Sequence, residues 1–246
     1  MVVMVNFWKV VHTVIARSDI VLIVADARTP ESVQDELLYK IKKLGKKYVI
    51  VYNKIDLVQN NALLELKKKA DPHSIFVSAV NHSHTMGLVR KLNAIAKGVP
   101  SVVGVVGFPN TGKSSLINAC KGKNSAQVGS QAGVTKGMQL LRISRTLTLL
   151  DSPGVIPTSA RGNIALQAKI AARSPNQIRD LEGAAMELIT EFMEPLSKKF
   201  SISTTDPEEF LEKLAINFEL KKKGNIPDTK RAAEYLILMW QKGNLL

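Results

Sequence analysis

Two short segments stand in an order that constrains this chain more than anything in its composition. NKID, residues 53–56, closes the apolar run KYVIVYN, and GFPNTGKS, residues 107–114, follows about fifty residues later. GFPNTGKS satisfies G-x-x-x-x-G-K-[ST] after the run SVVGVVG and before SLINACKG, the strand-to-helix context that makes this pattern a phosphate-binding loop. Gly107 and Gly112 let the backbone wrap a phosphate chain closely. Lys113 is placed to reach the β- and γ-phosphates, and the Ser114 hydroxyl to ligate Mg²⁺. In ordinary GTP-binding chains the base-reading loop follows the phosphate loop; here it comes first.

The base reading rests on hydrogen-bond patterns. An ionised Asp56 accepts from the N1–H and exocyclic amine of guanine, an edge adenine does not present, and the stem of Lys54 can lie over the ring. Asn53 is expected to tie this loop to the phosphate loop. In VSA, residues 77–79, the Ala79 N–H is expected to reach guanine O6. LLDSPG, residues 149–154, places Asp151 to hold Mg²⁺, most simply through water, and the Gly154 N–H to sense a γ-phosphate. Thr135, in GVTKG, is the candidate switch threonine closing over Mg²⁺.

Val- and Ile-rich runs at 20–26, 47–53, 74–79 and 101–107 alternate with helical-length segments at 31–44, 60–70 and 86–97. Strands apolar on both faces and separated by helices predict a mostly parallel sheet covered on both sides. MQLLRIS (138–144) and RTLTLLD (145–151) are spaced to pair as a hairpin. A parallel sheet with close termini tolerates circular permutation, because each loop keeps its place at the carboxyl ends of the strands. The fold class is therefore α/β, a circularly permuted P-loop GTPase domain over 1–162, followed by a small all-helical domain over 163–246. In the latter, Asp206, Pro207 and Glu209 take N-cap, N1 and N3 of one helix, with Phe210, Leu211, Leu214, Ala215 and Phe218 as its apolar stripe. Asp228 caps another that stops at Gly243.

In SDIVLIVADARTP (with Asp26, Ala27, Arg28 and Pro30), NKID, VSA, GFPNTGKSSLIN, GVTKG and DSPG, read in this order before a helical tail, the chain resembles the YlqF/YawG family of circularly permuted GTPases. The resemblance covers nearly the whole sequence. It implies a cytoplasmic GTPase that binds the large ribosomal subunit or its precursor during assembly. It further implies a nucleotide-binding set of Asn53, Lys54, Asp56, Ser78, Ala79, Asn110, Thr111, Gly112, Lys113, Ser114, Ser115, Asp151 and Gly154. Lys113, Thr135 and Gly154 stand nearest the reaction, Ser114, Thr135 and Asp151 are the Mg²⁺ ligands, and Asn110 is the K⁺ ligand, as in related GTPases with Asn at this place. The chain departs from the family pattern in two places. It reads NFWKVVHTV where the bacterial branch carries Pro-Gly-His-Met, so His12 is read as a helix-face residue. Ala132 replaces the usual proline before GVT.

The family of Ras-like domains places a glutamine soon after the Asp-x-x-Gly to orient water. Val155, Ile156 and Pro157 follow Gly154 here, so slow intrinsic hydrolysis, stimulated by a partner and by K⁺, is expected. Chain order also runs the second switch, from Asp151 to about Arg161, directly into the helical domain.

The net charge of +13 favours a polyanionic partner. By count, residues 1–160 hold 21 Lys and Arg against 9 Asp and Glu, and the remainder 13 against 12. KIKKLGKK (40–47) and LKKKA (66–70) fall at the sheet edge opposite the nucleotide, and KKKGNIPDTKR (221–231) joins two helices; together they favour RNA phosphate contacts, which with the resemblance above makes rRNA the expected partner. A single cysteine, Cys120, excludes an internal disulfide and reads as a small buried hydrophobe. No apolar run of membrane-spanning length occurs, MVVMVNFWKVVH does not read as a cleavable leader, and a cytoplasmic monomer without membrane or DNA partners is expected. NHSH, 81–84, has too few ligands for zinc. A GTP-sensing RNA-binding module with little turnover, and a membrane-surface GTPase, are the alternatives.

Overall fold

The structure, a computed structural model, describes residues 7–33, 35–121, 139–151, 175, 178 and 180–245. It divides into two units, Met1–Pro157 and Thr158–Leu246. The expected boundary at 162/163 lies outside the described residues.

In the first unit, strands β1 (Ile20–Asp26), β2 (Lys47–Asn53), β3 (Ser74–Phe76), β4 (Ser101–Val106), β5 (Gln139–Arg142) and β6 (Leu147–Asp151) form one sheet in the order β3-β2-β1-β4-β6-β5. All neighbours pair in parallel except β5 and β6, the expected hairpin. Every residue of β1 is buried. Its alternate side chains enter two separate cores. Ile20, Leu22 and Val24 pack with α4 (Thr85–Ala96) and α5 (Lys113–Cys120). Val21, Ile23 and Ala25 pack with α1 (Phe7–Ala16) and α2 (Asp35–Lys43), on the face that Leu66 of α3 (Asn60–Lys69) partly covers. Each such Val, Leu or Ile side chain contributes about 1.5–3 kcal/mol on burial, so β1 is the central beam of the unit.

Helix α1 reaches the sheet through Val10, Val11, Val14 and Ile15 and leaves His12 exposed. Its close approach needs Gly104 in β4, where a Cβ would lie 2.6 Å from Val14 Cγ1. Asp19 then joins β1 to β4, its N–H donating to the Val102 carbonyl at 2.8 Å and its carboxylate accepting from the Val102 N–H at 2.8 Å. Cys120 is buried, and burial pushes its thiol up to about 11.

Three expectations change. Pro30 opens a separate 3₁₀ turn, Pro30–Ser32, before α2. The strand expected over 74–79 stops at Phe76, because Val77 onward turns into the nucleotide-side loop. Phe218 sits at a helix C-cap with 41% exposure, although its ring meets Phe200 and Tyr235.

The second unit packs α6 (Leu181–Glu191), α7 (Met193–Phe200), α8 (Pro207–Asn217) and α9 (Thr229–Lys242) around Leu188, Ile189, Phe210, Leu214, Leu236 and Trp240. Asp180, Asp206 and Asp228 cap α6, α8 and α9 by accepting from the N–H groups of Gly183, Glu208 and Arg231. Gly243, at φ +78, ends α9.

Candidate functional site

The carboxyl ends of β2, β1, β4 and β6 share one sheet edge, and the expected loops leave from them. Asn53, the last residue of β2, is 1% exposed and joins three segments. Its Nδ2 donates to the Thr111 carbonyl at 3.0 Å, and its Oδ1 accepts from the Ala79 N–H at 3.0 Å. The Ala79 N–H, expected to reach guanine O6, is here engaged by the Asn53 side chain. The Asn53 oxygen is buried beside it and is satisfied by that donor.

On the phosphate side, Asn110 (φ +58) and Gly112 (φ +88) have left-handed backbones. A Cβ on Gly112 would lie 2.3 Å from Asn53 Nδ2 and 3.9 Å from Lys54 Cε. The missing side chain is what lets the base loop cross the phosphate loop. Thr111 is buried, its hydroxyl donating to the Phe108 carbonyl at 3.0 Å. Gly112 has no side chain with which to cap α5, so the first-turn N–H groups suit an anion.

Lys113 opens α5 and is buried, and its ammonium donates to the carbonyls of Gly107 at 3.0 Å and Phe108 at 2.5 Å. Burial pulls its pKa down to about 8, partly offset by the negative charge of Asp151. Ser114 and Ser115 follow, exposed, and Asp151 ends β6 half-buried. Thr135 and Gly154 lie outside the described residues, with GVTKG and the DSPG residues after Asp151.

On the base side, Lys54 adopts φ 64 and ψ 36 before the 3₁₀ turn Ile55–Leu57, which presents Asp56 to solvent. The Ser78 backbone pairs in both directions with Ser83, at 3.1 and 3.0 Å, and its hydroxyl accepts from the Asn81 N–H at 3.2 Å. That closes the loop carrying Ala79 into a compact turn.

One pair of residues given no chemical role in the sequence lies at the centre of this side. The Asp26 carboxylate, at the end of β1, accepts from the Arg28 backbone N–H at 3.0 Å, from Nε at 3.0 Å and from Nη2 at 2.7 Å. The ammonium of Lys54 lies 3.0 Å from Asp26 Oδ2. Burial would raise the Asp26 pKa, but the hydrogen bond and charge of Arg28 and the charge of Lys54 outweigh it and hold the carboxyl below its usual range. The available sequence signal was a carboxylate closing a wholly apolar strand with a guanidinium two residues on, because a charge buried there needs a partner.

A family model described as 50S ribosome-binding GTPase matches residues 102–215, beginning at β4. The chain is 33% identical to a GTP-binding protein of Methanocaldococcus jannaschii, over 96% of this chain and 65% of that protein. It is 28% identical to the nuclear GTP-binding protein NUG1 of Saccharomyces cerevisiae, over 97% of this chain and 55% of the relative. It is 32% identical to guanine nucleotide-binding protein-like 3 of Rattus norvegicus, over 94% and 48%. The chain thus spans about half to just under two thirds of the length of these relatives. Among solved structures, GNP-bound YlqF from T. maritima superposes with a TM-score of 0.68 at 25% identity, over 96% of this chain and 94% of that one.

Proposed function

We propose, from the premise that this chain belongs to the YlqF/YawG family of circularly permuted GTPases, that it binds GTP and hydrolyses it to GDP and phosphate during assembly of the large ribosomal subunit. The observation that carries the nucleotide reading is the double use of Asn53. One side chain locks the base-reading loop to both the phosphate loop and the Ala79 turn, although the three come in permuted order.

In this reading Asp56 accepts from the guanine N1–H and amine, Lys54 covers the ring, and Ser78 and Ala79 shape the turn beside it. Thr111, Gly112, Ser115 and the first-turn N–H groups of α5 bind phosphate oxygens, and Lys113 swings from its loop carbonyls onto the β- and γ-phosphates. The hydroxyl of Ser114, in the first turn of α5, and the carboxylate of Asp151, at the end of β6, which pairs in parallel with the strand leading into α5, form a hard-oxygen donor set that suits Mg²⁺, with Thr135 as the further ligand. When bound, that ion neutralises charge on the transferring phosphoryl group. The Gly154 N–H reports the γ-phosphate. No side chain just after it can orient water, so turnover depends on a group supplied by the particle and on K⁺ held at Asn110.

The partner reading is supported by the wording of the matched family model and by charge placement. The last turns of α2 and α3 carry Lys40, Lys42, Lys43, Lys67, Lys68 and Lys69, at the sheet edge opposite the nucleotide loops. Lys42, Lys43 and Lys67 lie 5.6–5.9 Å from the ring centroids of Tyr48, Tyr39 and Phe76. Such a basic, aromatic-backed edge suits rRNA phosphates. No helix among the described residues is long and apolar enough to cross a membrane. We place the protein in the cytoplasm, as a monomer away from membranes and DNA.

The test is steady-state GTP hydrolysis in KCl and in NaCl at matched ionic strength, with and without purified large subunits. Stimulation by both is expected, and Asn110→Ala is expected to lose the K⁺ component. Tight GTP binding without stimulation by either favours the second reading, a GTP-sensing RNA-binding module, which Val155, Ile156 and Pro157 make chemically reasonable.

A further inference from the structure

We propose that Asp26, itself held by Arg28, is a positioning residue for guanine recognition: its carboxylate fixes the Lys54 ammonium so that the lysine stem stays across Gly112 as one wall of the base site. This rests on the guanine-nucleotide reading above. The side chains of Asp26 and Arg28 are 5% and 4% exposed, and that of Lys54 is 19% exposed. Three charges, two positive and one negative, are thus withdrawn from water at the end of the most buried strand. As a device for stability this is poor, since desolvating such groups offsets most of their attraction. As a device for geometry it is effective.

Arg28 donates to Asp26 through Nε, Nη2 and its own backbone N–H, so both carboxylate oxygens are engaged and the group cannot rotate. Oδ2 then presents a fixed acceptor to Lys54. The lysine is pinned at its other end by its left-handed backbone. Between these two points its Cε passes 3.9 Å from where a Gly112 Cβ would stand, on the flank where the base loop meets the phosphate loop. A free lysine stem carries about 2 kcal/mol of rotamer entropy. With the ammonium anchored, that cost is met on folding rather than when the base arrives. Asp26 touches neither base nor phosphate in this scheme, and acts only through Lys54.

The test uses the full chain and two probes, GDP and inorganic pyrophosphate, titrated against wild type, Asp26→Asn, Lys54→Met and the double variant. Asp26→Asn keeps the shape and removes the charge. We expect GDP affinity to fall about thirtyfold in each single variant, the size of the unanchored rotamer cost. Pyrophosphate affinity is expected to change less than twofold, and the double variant to bind GDP no more weakly than the worse single one, as required when one residue works through the other. Additive losses, or equal losses for GDP and pyrophosphate, overturn the proposal. Should Asp26→Asn fail to fold, Asp26→Glu, which keeps the charge facing Arg28 but shifts the carboxylate, takes its place in the same cycle. A wild-type chain that binds pyrophosphate but not GDP refutes instead the guanine reading underneath.

Discussion

The base loop and the phosphate loop meet at Asn53 but are built by opposite means. On the base side the geometry is held by side chains. Asp26, Arg28 and Lys54 form a connected set of charged groups, and the buried Asn53 amide ties the same loop to its neighbours. On the phosphate side it is held by backbone, through left-handed Asn110 and Gly112 and the uncapped start of α5. The difference follows from the ligands. A base is recognised by a particular pattern of donors and acceptors, which only certain side chains supply. Phosphate oxygens accept from any main-chain N–H, so the constraint there is on what must be absent.

The sharpest way to break this contrast is Gly112→Ala. The new Cβ would stand 2.3 Å from an Asn53 amide already fixed at both ends, at φ +88, where a side chain is strained. Strain alone costs about 1–3 kcal/mol, and the clash adds to it. Loss of GDP and pyrophosphate binding together, by about a hundredfold or more, is expected in titration calorimetry. Retention of pyrophosphate affinity would show that the phosphate loop does not depend on this crossing.

Asn53→Ala comes next. It leaves the buried Ala79 N–H and Thr111 carbonyl without their partner, at about 1–3 kcal/mol each. Denaturant unfolding is expected to show the first unit destabilised by about 2–6 kcal/mol, with GDP affinity reduced more than pyrophosphate affinity. Equal reductions would place the two loops under a common control and remove the distinction drawn here.

The smallest effect is in pH. The Lys113 pKa in the folded chain is about 8, below its ordinary 10.5. Between those values the unfolded chain holds a proton that the folded chain has released, so stability rises with pH across that window. Phosphate pairing with the ammonium works the other way, and binding takes up a proton above pH 8. Pyrophosphate affinity is accordingly expected to fall about tenfold between pH 7 and pH 9. Lys113→Arg, whose guanidinium stays charged, should flatten the profile. A wild-type profile already flat over that range would mean that Lys113 does not face the phosphates.

Much of this was legible in the sequence because it depends on local pattern. The apolar runs became β1, β2 and β4 within a residue of their expected limits, β6 ends at Asp151 as expected but begins two residues late, and Asp206 and Asp228 cap their helices as their spacing indicated. What escaped depends on distant partners. The run SIFVSA has strand composition to its end, yet its last residues turn away so that Ala79 can meet Asn53, 26 residues earlier. Phe218 fits the apolar stripe by periodicity but falls on the C-cap, where the helix no longer directs it inward. The tie between Asp26 and Lys54 spans 28 residues, and no spacing rule joins a strand-end carboxylate to a lysine in the next loop.

Permutation also sets the order in which a growing chain can assemble its ligand site. Residues 20–76 contain β1, β2 and β3, and Ile20 pairs with Lys47, only 27 positions away. The carboxylate, guanidinium and ammonium of the base wall all lie inside this stretch, so the wall has its parts before GFPNTGKS has been synthesised. The contact from Asn53 to Thr111 spans 58 residues and must wait for β4 to dock beside β1. In the usual loop order the phosphate loop emerges first. Here the nascent chain makes its selectivity first and its affinity afterwards, and nucleotide can act as a folding ligand only once the second half of the sheet has arrived.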